Sequence, residues 1–111
     1  MQQYLAKLIF RIATENDGPD GQFDEQLRLI RAVSHTEAFI KANRLGHENE
    51  DHFTNDREQQ IRWEFIGISD LNEVPELKDG QELDYHIREI ADAEQFCRYI
   101  RHRSALLSYQ V

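Results

Sequence analysis

Residues 4–13, YLAKLIFRIA, alternate without a break. Tyr4, Ala6, Leu8, Phe10 and Ile12 fall on one face of an extended chain, and Leu5, Lys7, Ile9, Arg11 and Ala13 on the other. The first face is wholly apolar and needs a cover. The second mixes Leu5 and Ile9 with two cations, so partial cover is expected there. The chain therefore begins with a half-buried strand, and the remaining sequence has to supply both a partner strand and a layer to close the apolar face.

The partner follows at once. NDGPDG, residues 16–21, is a dense turn signal. A second strand over about 22–33, with Phe23, Leu27 and Leu29 facing one way, completes a long antiparallel hairpin with an acidic tip. Ser34-His35-Thr36-Glu37 has the spacing of a capping box, and Ala38, Phe39, Ala42 and Leu45 follow at helical intervals. This predicts a helix from 35 to 45 or 50, with Gly46 either ending it or lying inside it. Ile61, Trp63 and Phe65 alternate with Arg62 and Glu64, predicting a third strand over about 59–68. Residues 69–80 read as loop. Leu83, Tyr85 and Ile87 alternate with Asp84, His86 and Arg88, predicting a fourth strand over about 81–89. Asp92 caps a last helix with Ala93, Phe96, Cys97, Ile100, Ser104 and Leu107 along one face.

The expected fold is α+β: an antiparallel sheet of about four strands with two helices on one face, in the order strand-strand-helix-strand-strand-helix. At 111 residues it is expected to form a single domain over 1–111. The covered face is expected to carry Leu8, Phe10, Leu27, Leu29, Trp63 and Phe65. The other face is expected to carry Lys7, Arg11, Arg28, Arg62 and Glu64, with Ile9, Ile30 and Ile66 among them. Together with Leu5, those aliphatics exceed what a solvent face needs and predict a homodimer surface.

Composition narrows the function classes. A net charge of −8 repels phosphate backbones, so no nucleic-acid partner is expected. The one basic run, Arg98, Arg101, His102 and Arg103, falls late in a helix, where it suits the dipole. A single cysteine forms no internal disulfide, and MQQYLAKLIF has neither the basic start nor the long apolar run of a secretory leader. A cytoplasmic setting without membrane attachment is expected. Cys97, on the apolar side of its helix, reads as a small core residue rather than a nucleophile.

The segment GHENEDH, residues 46–52, concentrates titratable groups. His47 and His52 are five apart, about 140° round a helix, and miss the i, i+4 spacing of a zinc-protease pair. His47/Asp51 and Glu48/His52 have chelating spacing, yet a zinc site needs a third ligand from elsewhere, such as His35 or His86. No metal or other cofactor is expected. Nothing resembles a nucleophile elbow, a P-loop or a dinucleotide fingerprint. Glu48 and Glu50 have the chemistry of an acid/base pair, but a solvated or ion-paired helix end has the same sequence. Trp63 reads first as a core aromatic.

Tyr4-Leu5-Ala6-Lys7-Leu8-Ile9-Phe10-Arg11-Ile12, Gln22-Phe23-Asp24-Glu25-Gln26-Leu27, Gly46-His47-Glu48-Asn49-Glu50 with Phe53 and Asn55, and Trp63-Glu64-Phe65 together resemble a small bacterial family, domain-of-unknown-function family 4288. The resemblance covers about residues 4–87. Gly46, Glu48, Glu50, Asn55 and Trp63 match its pattern, while His47 and Asn49 depart from it. It implies a compact cytoplasmic bacterial domain and carries no activity with it. Two readings of function follow. The first is a non-enzymatic binding or protein-interaction module, dimeric, with an acidic surface suited to a basic protein partner in the manner of an immunity protein. The alternative is a small enzyme or ligand-binding domain using Glu48, Glu50 and Asn55, with Trp63 as a wall. In either case Glu48 and Glu50 are expected at a junction turned by Gly46, with Trp63 beside them.

Overall fold

The computed structural model describes residues 1–15 and 18–109. Six elements follow in order: β1 (Gln2–Thr14), β2 (Gln22–Ala32), α1 (His35–Glu48), β3 (Asp51–Thr54), β4 (Gln60–Val74) and α2 (Ala93–Ser108). The strands form one antiparallel sheet in the order β2-β1-β4-β3. This is the α+β architecture and element order expected. The residues fall into two compact units, Met1–Gln81 with the whole sheet and α1, and Glu82–Val111 with α2. Of the NDGPDG turn, Asn16 and Asp17 lie outside the described residues.

The hairpin forms as the alternation requires. β1 and β2 pair in unbroken register from Gln2↔Ala32 to Ile12↔Gln22. Tyr4, Ala6, Leu8 and Phe10 are buried under α1. Ser34 Oγ accepts the Glu37 N–H at 3.2 Å and starts that helix. The helix then presents Ala38, Ala42 and Gly46 to the sheet, one small residue per turn. A stripe without bulk lets the backbone come close to β1, so Phe39, expected on the inner face, is instead half exposed.

β2 faces the other way from expectation. Directly opposed residues of an antiparallel pair share a face. Ile30 opposes Tyr4, and Leu29 opposes Leu5. Ile30 is therefore in the core, and Leu27 and Leu29 lie on the face opposite α1, 50% and 42% exposed. The sequence pattern is ambiguous because Leu29 and Ile30 are adjacent, and a one-residue shift in register moves every side chain across the sheet.

β4 is longer than predicted. Its pairing with β1 slips twice, between Lys7 and Leu8 and between Ile9 and Phe10, leaving Ser69 and Ile66 as extra residues. Core-facing positions consequently run Phe65, Ile68, Leu71, with a spacing of three that matches neither a regular strand nor a helix. Ile66, expected among the face aliphatics, is one of these extra residues. β3, which was not expected, pairs Asp51↔Trp63 through Thr54↔Gln60. No strand forms over 81–89. Leu83, Tyr85 and Ile87 are exposed, and their unit contains no second strand to pair with. Alternation becomes a strand only where a partner edge exists.

In the second unit, Asp92 Oδ1 accepts the Gln95 N–H at 3.0 Å and caps α2 as expected. The Arg88 guanidinium lies 5.5 Å from the Phe96 ring centre. No residue of α2 is buried, and Cys97 is exposed rather than part of a core. Among the described residues, no helix is long and apolar enough to cross a membrane.

Candidate functional site

The acidic stretch converges on one side chain, Phe65. Gly46 does not turn the chain. It lies inside α1 with an ordinary φ. A Cβ there would run into Cδ1, Cε1 and Cζ of Phe65, so the glycine is what lets the ring pack flat on the helix backbone. Phe65 also meets Phe10, with centroids 5.5 Å apart, and takes the His47 ring edge-on at 5.0 Å. Glu50 completes the arrangement from the backbone side. Its Oε2 accepts the Phe65 N–H at 3.0 Å, while Oε1 lies 3.3 Å from His47 Nδ1.

The bond to Phe65 has a topological cause. β3 stops pairing at Asp51↔Trp63, because the chain ahead of Asp51 has just left α1. β4 continues beyond Trp63 with that edge open. The Glu50 carboxylate supplies the acceptor that a longer β3 would have supplied. This bond, then the contact with His47, holds the Glu50 carboxyl below the usual carboxylate range. The helix end is closed separately: the Asn49 backbone N–H bonds back into the last turn, and Asn49 Nδ2 donates to Leu45 O at 2.8 Å.

The other expected site residues divide. Glu48 is exposed at the last position of α1 and makes no hydrogen bond or ion pair among the described residues. Asn55 is occupied by the β3–β4 turn. Its Oδ1 accepts from Arg57 N and Gln59 N, both at 2.9 Å, and its Nδ2 donates to Gln59 Oε1. Glu58, in the same turn, sits at φ 60°. Trp63 lines a shallow depression with Glu50, Asp51, His52, Arg62 and Glu64. Its volume of about 270 Å³ lies below the ~300–1,000 Å³ usual for ligand pockets. Glu50 and Trp63 are thus brought together, while Asn55 is committed to its turn and Glu48 to solvent.

Two residues near Trp63 escaped the sequence reading. Trp63 Nε1 donates to Asp24 Oδ2 at 3.0 Å, reaching from β4 across β1 to β2. Gln26 Nε2 donates to the same oxygen, and Arg28 donates to Gln26 Oε1, forming a polar ladder along β2. These hydrogen bonds, with Gln26 first and Trp63 second, hold the Asp24 carboxyl below its usual range. Phe53 stacks on the indole with ring centres 6.1 Å apart. The signal for Asp24 was its place at i, i+2, i+4 with Gln26 and Arg28, once β2 is read with Ile30 inward.

The opposite face of the sheet has a different character. Leu5, Ile9, Phe23, Leu27 and Leu29 cluster there on β1 and β2, with Phe23 53% exposed. Around them stand four cations, Lys7, Arg11, Arg31 and Arg62, against three anions, Glu25, Glu64 and Asp70. Lys7 lies 3.9 Å from Asp70, and Arg62 lies 3.0 Å from Glu64. In a chain of net charge −8, this face is close to neutral.

No curated protein and no solved structure matches the chain. One family model does, over residues 3–85, which takes in β1 to β4, α1 and every residue of the Phe65 latch. The chain accordingly belongs to the domain-of-unknown-function family DUF4288.

Proposed function

We propose that this domain is a non-enzymatic protein-interaction module that self-associates through the β2 side of its sheet, with the apolar cluster of the face opposite α1 at the contact. The observation that carries this reading is the cluster of Phe23, Leu27 and Leu29, roughly half exposed beside Leu5 and Ile9. Large apolar side chains grouped on a face without charge excess are what a docking surface presents. Elsewhere the chain is acidic, so two copies repel least where this near-neutral part of the sheet lies at the contact. The alternative of a small enzyme loses its reagents. Glu50 is spent on the Phe65 backbone and Asn55 on a turn, which leaves Glu48 with no partner carboxylate free beside it. A cytoplasmic setting accords with the unpaired Cys97.

The test separates association from folding. Phe23→Lys and Leu29→Lys replace half-exposed side chains, so each should leave the unfolding free energy within about 0.5 kcal/mol of wild type. In sedimentation velocity the same variants should run as monomers at concentrations where the wild type runs as a dimer. A large loss of stability without any change in association would make these two side chains core residues and remove the proposal.

A further inference from the structure

We infer that the second copy docks by strand addition at β2, extending the sheet across a two-fold axis centred on Gln26. This rests on the self-association proposed above and specifies its contact: edge pairing sets the Phe23 and Leu29 side chains of the two copies side by side on one continuous sheet face. The two edges of the sheet are unequal. On the far side, β3 covers only the first part of β4, and the remainder is interrupted by the extra residues Ile66 and Ser69 and by the Glu50 carboxylate on Phe65 N. Bulges and an inserted acceptor are devices that stop an edge from accepting a strand. β2 has none of these over 22–30, and the Lys41 side chain that donates to Arg31 O sits at its end. Among the described residues its only strand neighbour in the sheet is β1, its register is unbroken over Gln2↔Ala32 to Ile12↔Gln22, and it contains neither proline nor glycine.

The β2 sequence selects its own partner. With the axis at Gln26, antiparallel pairing sets Asp24 against Arg28 of the second copy, and Arg28 against its Asp24. On the face opposite α1, Phe23 meets Leu29 and Leu29 meets Phe23, with Glu25 against Leu27 between them. Opposed residues share a face in both cases, as pairing requires. Opposite charges and apolar pairs directly across from one another are the favourable contacts of a sheet. An axis at Leu27 places Asp24 against Ile30 and Phe23 against Arg31. An axis at Arg28 sets two guanidinium groups face to face. Asp24 and Arg28, which make this edge unattractive to an unrelated strand, are therefore matched by a second copy in this register. The interface is isologous and closes at two chains.

A cysteine scan reads the axis directly. In a Cys97→Ser background, Gln26→Cys, Leu27→Cys and Arg28→Cys each place one thiol on β2. Only the residue on the axis meets itself, so mild oxidation at micromolar concentration should convert Gln26→Cys largely to a disulfide-linked dimer and leave the other two as monomers. Linking strongest at 27 or 28, or none at 26, overturns the inference. Amide hydrogen exchange on the wild-type chain gives a second reading that needs no substitution. Alternate amides of residues 22–30, open to solvent in a single copy, should become at least tenfold more protected as concentration rises through the dimerisation range; unchanged exchange also overturns it. A wild type that dimerises without either signature refutes this contact alone, whereas a wild type monomeric at all concentrations refutes the proposed function as well.

Discussion

Gly46→Ala sets two effects of opposite sign against each other. In a helix interior, alanine is favoured over glycine by about 0.8–1 kcal/mol, so on propensity alone the variant should be more stable. Against this, the new methyl meets Cδ1, Cε1 and Cζ of Phe65 well inside van der Waals contact. The ring has little room to yield. Phe10 packs on one side, His47 on another, and Glu50 holds the Phe65 backbone. Overfilling such a site costs about 1–3 kcal/mol by itself, and where neither neighbour can move, the upper end applies. The net expectation is a loss of about 1–2 kcal/mol after the propensity gain. For a unit of this size that is roughly 5–10 °C in Tm. Urea unfolding followed by the fluorescence of Trp63, the single tryptophan, measures it. Phe65→Leu supplies the control: in that background Gly46→Ala should cost little or become favourable. A Gly46→Ala variant as stable as wild type would show that the ring does not rest on the helix backbone and refute the latch.

Glu50→Gln should lower Tm, because Phe65 N–H then donates to a neutral acceptor, while Glu48→Gln should leave Tm unchanged; differential scanning calorimetry of the two variants distinguishes them. The folded-state carboxyls of Asp24 and Glu50 both titrate below their usual range, so their stabilising contribution is present above about pH 4 and is lost as pH falls through the folded values. The Tm difference between wild type and Glu50→Gln should therefore shrink steadily on acidification below about pH 4; a difference independent of pH would mean that the carboxylate form does not hold the latch. Glu58→Gly relieves a left-handed backbone position and should raise stability by about 0.5–1 kcal/mol in urea titrations. Asp24→Ala removes the acceptor from the Trp63 indole and should change its emission maximum as well as lowering Tm.

Much of this architecture was legible in the residues, and the misreadings have physical causes. The Tyr4–Phe10 alternation located both the first strand and its buried face, since no other period fits it. Ser34 and Asp92 located two helix starts, because their side chains satisfy specific backbone donors. β2 was read inside out because Leu29 and Ile30 are adjacent, and only pairing with β1 decides which of them points inward. β4 was cut short because its bulges replace a spacing of two by a spacing of three after Phe65. The alternation of Leu83, Tyr85 and Ile87 looked like a strand but had no partner edge in its own unit. In the acidic stretch, Gly46 and Glu50 were picked out, as was the proximity of Glu50 to Trp63, whereas Glu48, picked out with them, lies in solvent. The reason for Gly46 was not: a helical glycine under a phenyl ring and a glycine in a turn are written the same way. Asp24 was passed over because its role depends on a hydrogen bond to a residue 39 positions away.

These misreadings bear on function as well. Ile30, expected on the dimer surface, belongs to the core, and its place is taken by Phe23, Leu27 and Leu29, which give a larger and more continuous apolar cluster on the face opposite α1. That face, on an otherwise acidic chain, is the basis for treating the domain as an interaction module. Sedimentation equilibrium of the wild-type chain from about 1 to 100 µM, the range in which weak homodimers form, tests this most directly. The account predicts a mass rising with concentration from 13.2 kDa towards twice that value and stopping there. A mass fixed at 13.2 kDa throughout would contradict it.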